Sequence, residues 1–140
     1  MGHVSGYYAL SWSKAADCPF CSLPTDRVIL SDPLAVAVRD AFPVSRGHTL
    51  ILPRRHISSF FEVTEEEQTS LLNLLAQARE GLDDDLDPAG YNIGINDGVA
   101  AGQTVPHLHI HLIPRYSGDC QDPRGGVRWV IPAKAKYWDD

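Results

Sequence analysis

Three cysteines in 140 residues are too few for a disulfide framework, and two of them stand in a single Cys-x-x-Cys. Positive charge is also short: 12 Lys and Arg face 18 Asp and Glu, leaving a net charge of −6. That balance argues against nucleic acid or an anionic membrane as the main partner. It also means that any phosphate site has to be built locally. No apolar run is long enough to span a bilayer, and the first residues lack a basic-then-apolar signal pattern, so the expected setting is the cytoplasm. Internal repeats and low-complexity tracts are absent. What remains is ordinary for one globular domain, with 44% hydrophobic and 21% charged residues.

Residues 1–16 show no period; Tyr7, Tyr8, Leu10 and Trp12 are candidates for packing on the body or on a partner chain. Residues 27–31 and 34–40 read as a hairpin around Asp32-Pro33, and 48–53 as an inner strand. Thr64 and Glu67 fit a capping box. Leu71, Leu75, Ala78 and Leu82 follow at helical spacing, widened by Leu72 and Leu74. Gly81 and Asp83-Asp84-Asp85 are expected to end this helix, because acids oppose its C-terminal dipole. Residues 91–96 read as a strand, with Asp97-Gly98 as its turn signal. The tail is irregular, with Trp129-Val130-Ile131 as one more short contact. Mostly short turns between strands imply an antiparallel sheet with one main helix packed on it, an α+β fold.

The informative stretch is Gln103-Thr104-Val105-Pro106-His107-Leu108-His109-Ile110-His111-Leu112-Ile113-Pro114-Arg115. In a strand, successive side chains point to opposite faces. Leu108, Ile110 and Leu112 then enter a core, and His107, His109 and His111 share the other face. Pro114 is expected to close the run. A histidine-rich polar face and three ligands of one metal are the competing readings.

His107-Leu-His109-Ile-His111-Leu112-Ile113 resembles the signature of the histidine triad (HIT) superfamily. Gly102-Gln103-Thr104-Val105, Arg46-Gly47-His48-Thr49-Leu50-Ile51-Leu52-Pro53 and Cys18-Pro19-Phe20-Cys21 are similar to further motifs of that family, in its order. The resemblance implies a five-stranded antiparallel sheet with one main helix plus a short helix, joined across a homodimer. Residues 17–116 would form the domain, after an extension at 1–16 and before a tail at 117–140.

A histidine nucleophile suits phosphoryl chemistry. Neutral imidazole has one basic nitrogen and titrates near pH 6.5. Attack on phosphorus gives a phosphoramidate that water can cleave, splitting one hard displacement into two. By resemblance, His109 is the nucleophile, and His111 contacts the α-phosphate and the leaving group. His48 joins the same face, and Gln103 assists catalysis. Substrate contacts come from Asp40, which would take the ribose hydroxyls, and from Asn96, Gly102, Gln103, Thr104, Val105 and His111. The implied substrate is an adenosine nucleotide, a dinucleoside polyphosphate or, as the alternative, a purine nucleoside phosphoramidate. The resemblance also implies a structural zinc held by Cys18, Cys21, His56 and His107, which frees His107 from catalysis. A zinc-dependent hydrolase and a non-catalytic nucleotide-binding module remain open at this point.

Overall fold

A computed structural model describes residues 17–139. The aromatic cluster expected at residues 7–12 lies outside the described residues. Five strands form one antiparallel sheet: β1 (Val28–Ser31), β2 (Ala35–Arg39), β3 (Thr49–Pro53), β4 (Gly90–Gly94) and β5 (Ile110–Arg115). Their order is β1-β2-β3-β5-β4, so the histidine-bearing strand is internal. A 22-residue helix, α1 (Glu65–Leu86), packs on one face, and a short α2 (Pro132–Ala135) lies in the tail. This is the α+β arrangement expected from the sequence.

Alternation decides which side chains meet the helix. Ala35, Ala37, Ile51, Ile110 and Leu112 point to α1 and pack with its Leu71, Leu74, Ala78 and Leu82. Val36, Val38, Leu50 and Leu52 point the other way and are covered by Phe20, Leu23 and Val28. The N-terminal segment therefore roofs one half of the second face. Helix α1 starts as expected: Thr64 accepts from the Glu67 N–H and Glu67 answers back.

Four local expectations are corrected. Gly81 and the acidic run do not end α1, which continues to Leu86 and is capped by left-handed Asp87. Leu82 is fully buried and Leu86 packs beside it, so the apolar stripe needs another turn. One of the acids is paired: Asp83 accepts from the Tyr91 hydroxyl at 2.6 Å and lies 3.5 Å from Arg79.

The histidine strand is also shifted. Its ladder begins at Ile110, and His107–His109 lie in the irregular approach. There His107 N bonds Val105 O and Leu108 N bonds Ile57 O, so the chain is drawn onto the segment after β3. At the other end the strand runs through Pro114 to Arg115. Pairing with β3 has ended at Thr49–Leu112, and Pro114 O accepts from Ser45 Oγ on that side, so no ladder partner misses the absent N–H. Strand β4 closes at Gly94, two residues earlier than expected.

Candidate active site

The residues singled out in the sequence divide into two clusters joined by a backbone carbonyl. The first contains His109, His111, His48 and Asp40. His111 and Leu50 are paired across β5 and β3, which brings His48, at the entrance of β3, against His111. His48 Nε2 and His111 Nδ1 are 2.9 Å apart, and Asp40 Oδ2 lies 3.4 Å from the same His48 nitrogen. The rings of His109 and His111 stand 5.1 Å apart at 62°.

Hydrogen bonds fix the tautomers. His48 Nδ1 accepts from the Val44 N–H at 3.1 Å, so its proton is on Nε2 and points to His111 Nδ1. His111 is then an Nε2–H donor. His109 Nδ1 lies 2.8 Å from His107 O; a carbonyl only accepts, so His109 donates there and keeps its Nε2 lone pair free. Burial lowers all three below the ordinary histidine range. His48 is held down despite the opposing Asp40 carboxylate. His109 is lowered against the pull of its carbonyl partner. His111 falls furthest, to about 4, with its two histidine neighbours adding to the burial. Three neutral imidazoles at neutral pH follow.

The second cluster is Cys18, Cys21, His56 and His107. Their ligand atoms all lie within 4.8 Å of one another. Cys18 Sγ is 3.4 Å and Cys21 Sγ 3.5 Å from His107 Nδ1, and Cys21 Sγ is 3.2 Å from His56 Nδ1. A tetrahedral ion with metal–sulfur arms of about 2.3 Å and metal–nitrogen arms of about 2.0 Å has sulfur–nitrogen edges of roughly 3.5 Å. His107 Nε2 donates to Pro53 O at 2.8 Å, which leaves Nδ1 as the ligand atom and supplies the outer partner that ligating histidines use. Burial and the Cys18 thiol push Cys21 up to about 11, so a cation between them is what would hold both as thiolates. These residues fit a metal ion. Asp40, His48 and His111 also lie within 4.8 Å of one another. Their 2.9 Å nitrogen–nitrogen contact is a hydrogen-bond length, shorter than the about 3.3 Å edge of a tetrahedral nitrogen pair, so His48 and His111 read as a hydrogen-bonded pair with Asp40 beside the shared His48 nitrogen.

Other expected site residues are placed less directly. Gln103 is buried with its side chain committed to its own loop: Oε1 accepts from Gly98 N at 2.8 Å, and Nε2 donates to Ser58 O and Val105 O. These bonds order the loop that leads to His107. Gly102, with φ +97°, and Thr104 are exposed on that loop, and Val105 is half-buried. Asp40 Oδ1 accepts from Phe42 N at 2.8 Å, leaving Oδ2 toward His48. Asn96 lines a groove of about 830 Å³ that runs from His48 and His111 along Ile113 and Arg115 to Trp129.

Two contacts of the site have no motif that announces them in the sequence. Phe20 meets the His109 ring at 5.0 Å and 72°. Its only signal was its position between the two cysteines. Arg115, at the end of the Leu-Ile-Pro-Arg segment, donates to Asp119 through Nε and a terminal nitrogen and to Asn92 through the other, so that it lines the groove together with two residues that belong to no motif.

An α+β sheet that presents a hydrogen-bonded histidine pair beside a Cys₂His₂ cluster defines a class of small histidine-site proteins. The chain belongs to the HIT domain family, whose model matches residues 24–118. It is 36% identical over 108 residues to a HIT-like protein of Mycoplasma genitalium, covering 74% of this chain and 77% of that one. It is 37% identical over 86 residues to the asymmetrical bis(5'-nucleosyl)-tetraphosphatase of Schizosaccharomyces pombe, covering 61% of this chain and 47% of that protein. The fold is similar to the crystal structure of a zinc-bound histidine triad family protein from Mycobacterium smegmatis. That match has a TM-score of 0.67 and 30% identity, and it covers 87% of this chain and 96% of that one.

Proposed function

We propose that this protein hydrolyses nucleotides at the α-phosphate through a covalent nucleotidyl-His109 intermediate. The observation that carries this reading is the His109 tautomer, with Nδ1–H on the His107 carbonyl and the Nε2 lone pair free. Nε2 attacks phosphorus, and the bond from phosphorus to the leaving oxygen or nitrogen breaks with its electron pair. The ring becomes cationic, and the carbonyl on Nδ1–H stabilises it. His111 Nε2–H faces the charge that develops on phosphate and leaving group, while His48 holds His111 in that tautomer. Water then attacks phosphorus, and the phosphorus–nitrogen electron pair returns to His109. Asp40 Oδ2 accepts ribose hydroxyls, and the exposed loop with Gly102, Thr104 and Asn96 meets the phosphate chain.

The preferred substrate is a dinucleoside polyphosphate. The name of the fission-yeast relative and the Gly-Gln-Thr-Val-Pro-His and Leu-Ile-Pro-Arg segments support that choice. The second reading is a purine nucleoside phosphoramidate. It is favoured by the groove past His111, where Arg115 is already paired with Asp119 and Arg46 is the cation left to meet a polyphosphate. The ion of the Cys₂His₂ cluster is proposed to be zinc, which would tie the N-terminal segment to the sheet as a closed four-ligand site. A homodimer is proposed across the outer edge of β4, where Ile93 is exposed. Among the described residues no helix is long and apolar enough to cross a membrane; the proposed setting is the cytoplasm.

The test is intact-protein mass spectrometry after brief mixing with diadenosine tetraphosphate or with an adenosine phosphoramidate. An adenylyl adduct is expected, and its partition between the two substrates ranks them. His109→Ala should lose the adduct and several powers of ten in turnover. Near-normal turnover by His109→Ala would refute the mechanism.

A further inference from the structure

His109 lies one residue before the β5 ladder begins, so sheet pairing does not by itself hold its backbone. Besides the His111 ring, two contacts hold its ring, one from His107 of the Cys₂His₂ cluster and one from the turn between its two cysteines. The first is the His107 carbonyl that accepts from Nδ1. The peptide that carries this carbonyl is held on both sides: the Leu108 N–H bonds Ile57 O at 2.7 Å, and the His107 ring is pinned between Pro53 O and the two cysteine sulfurs. The second is Phe20. It sits inside the Cys18–Cys21 turn, closed by Cys21 N to Cys18 O, so both sulfur ligands fix where it lies. Its ring meets His109 edge-on at 5.0 Å and His107 at 5.9 Å and 89°. Its remaining surface packs with Leu23 and Val28 on the apolar patch of β2 and β3.

We infer that Phe20 is a positioning residue for the nucleotidyl transfer proposed above, and that through Phe20 and the His107 carbonyl the metal centre sets the orientation and tautomer of His109. Edge-on aromatic contacts favour particular ring geometries, and the carbonyl selects one protonation site. Opening the four-ligand set frees the turn that carries Phe20 and one of the two anchors of His107. The centre then holds the reacting group in place as well as the fold. The inference rests on His109 being the nucleophile.

The experiment compares native protein, Phe20→Leu and Phe20→Ala, each loaded with zinc and checked for metal content and cooperative unfolding. Ring-nitrogen NMR without substrate reads the His109 tautomer, and rapid mixing with diadenosine tetraphosphate reads adduct formation. Native protein should show a single Nδ1–H tautomer. Phe20→Ala should keep its metal, show His109 exchanging between tautomers, and form adduct about 10- to 100-fold more slowly with KM little changed. Stripping zinc from folded native protein should give at least the same spectral change, and stripping Phe20→Ala should add the share that passes through the His107 carbonyl. If stripping unfolds the chain, the metal-loaded Phe20 variants decide alone. An unchanged tautomer in Phe20→Ala with only KM raised would overturn the inference and make Phe20 a substrate contact. An unchanged tautomer in stripped, folded protein would overturn the link to the metal. Absence of any adduct on native protein would sink the nucleophile reading instead, and the substrate-free spectra keep the two failures apart.

Discussion

Replacing Gly47 with alanine tests how the Gly47-His48 motif serves the site. Gly47 has φ +89°, and an added Cβ would lie 2.8 Å from Leu82 Cδ2, 2.9 Å from Leu86 Cδ1 and 3.3 Å from Pro114 Cγ. The left-handed backbone alone costs an L-residue about 1–2 kcal/mol. The contacts add overpacking, ordinarily about 1–3 kcal/mol. Leu86 is only partly buried and can turn aside, whereas Leu82 is fully buried and cannot. We therefore expect Gly47→Ala to lose about 2–4 kcal/mol, from the sum of strain and a partly relieved clash. In urea, with a slope near 2 kcal/mol/M, the midpoint should fall by roughly 1–2 M without a change of slope. The folded fraction should also form adduct more slowly, because His48 follows directly and must keep its bond to His111. Adding Leu86→Ala should recover part of the packing cost and none of the backbone strain. A Gly47→Ala protein within about 0.5 kcal/mol of native, the usual scatter of a harmless substitution, would refute this reasoning.

Acid should spare the chemistry before it spares the fold. Because burial holds His48 and His109 below the ordinary range and takes His111 to about 4, adduct formation should persist well below pH 6.5; a rate lost with a midpoint near 6.5 would contradict these environments. Stability moves with opposite emphasis: the unfolded chain binds the His111 proton near 6.5 and the folded chain near 4, so stability falls through that window by at most about 3 kcal/mol, measured by urea midpoints against pH. Glu67 is buried under a two-pronged bond from the half-exposed Arg55 and is held down at about 2, so Glu67→Gln should cost about 1–2 kcal/mol at pH 7 by loss of a charged hydrogen bond, and the native advantage should fade as pH drops from about 4.5 through about 2. Cys18→Ser should purify with far less than the one metal ion per chain expected of native protein, and with a lower melting temperature; equal metal content by elemental analysis would remove Cys18 from the ligand set.

Much of this protein can be read from local pattern. Alternation assigned Leu108, Ile110 and Leu112 to the core, and all three are there: Ile110 and Leu112 because side-chain period in a strand is set by backbone geometry, and Leu108 because its N–H bonds Ile57 O before the strand begins. The Thr64–Glu67 box marked the start of α1 for an equally local reason. The end of α1 was not local. Gly81 and three aspartates signal a stop, but burial of Leu82 and Leu86 outweighs them, and that burial exists only once the sheet is in place. The site divides in the same way. Its histidines and cysteines were legible as chemistry-bearing types in family-like order. Only the tertiary structure decided that Gln103 bonds Ser58 O and its own loop, that His48 meets both Asp40 and His111 at one nitrogen, and that Phe20 lies against His109. The bonds of Gln103 to Ser58 and of His48 to His111, and the Phe20–His109 contact, join residues far apart in the chain, so their geometry is fixed by strand register and packing, which no run of neighbouring residues encodes by itself.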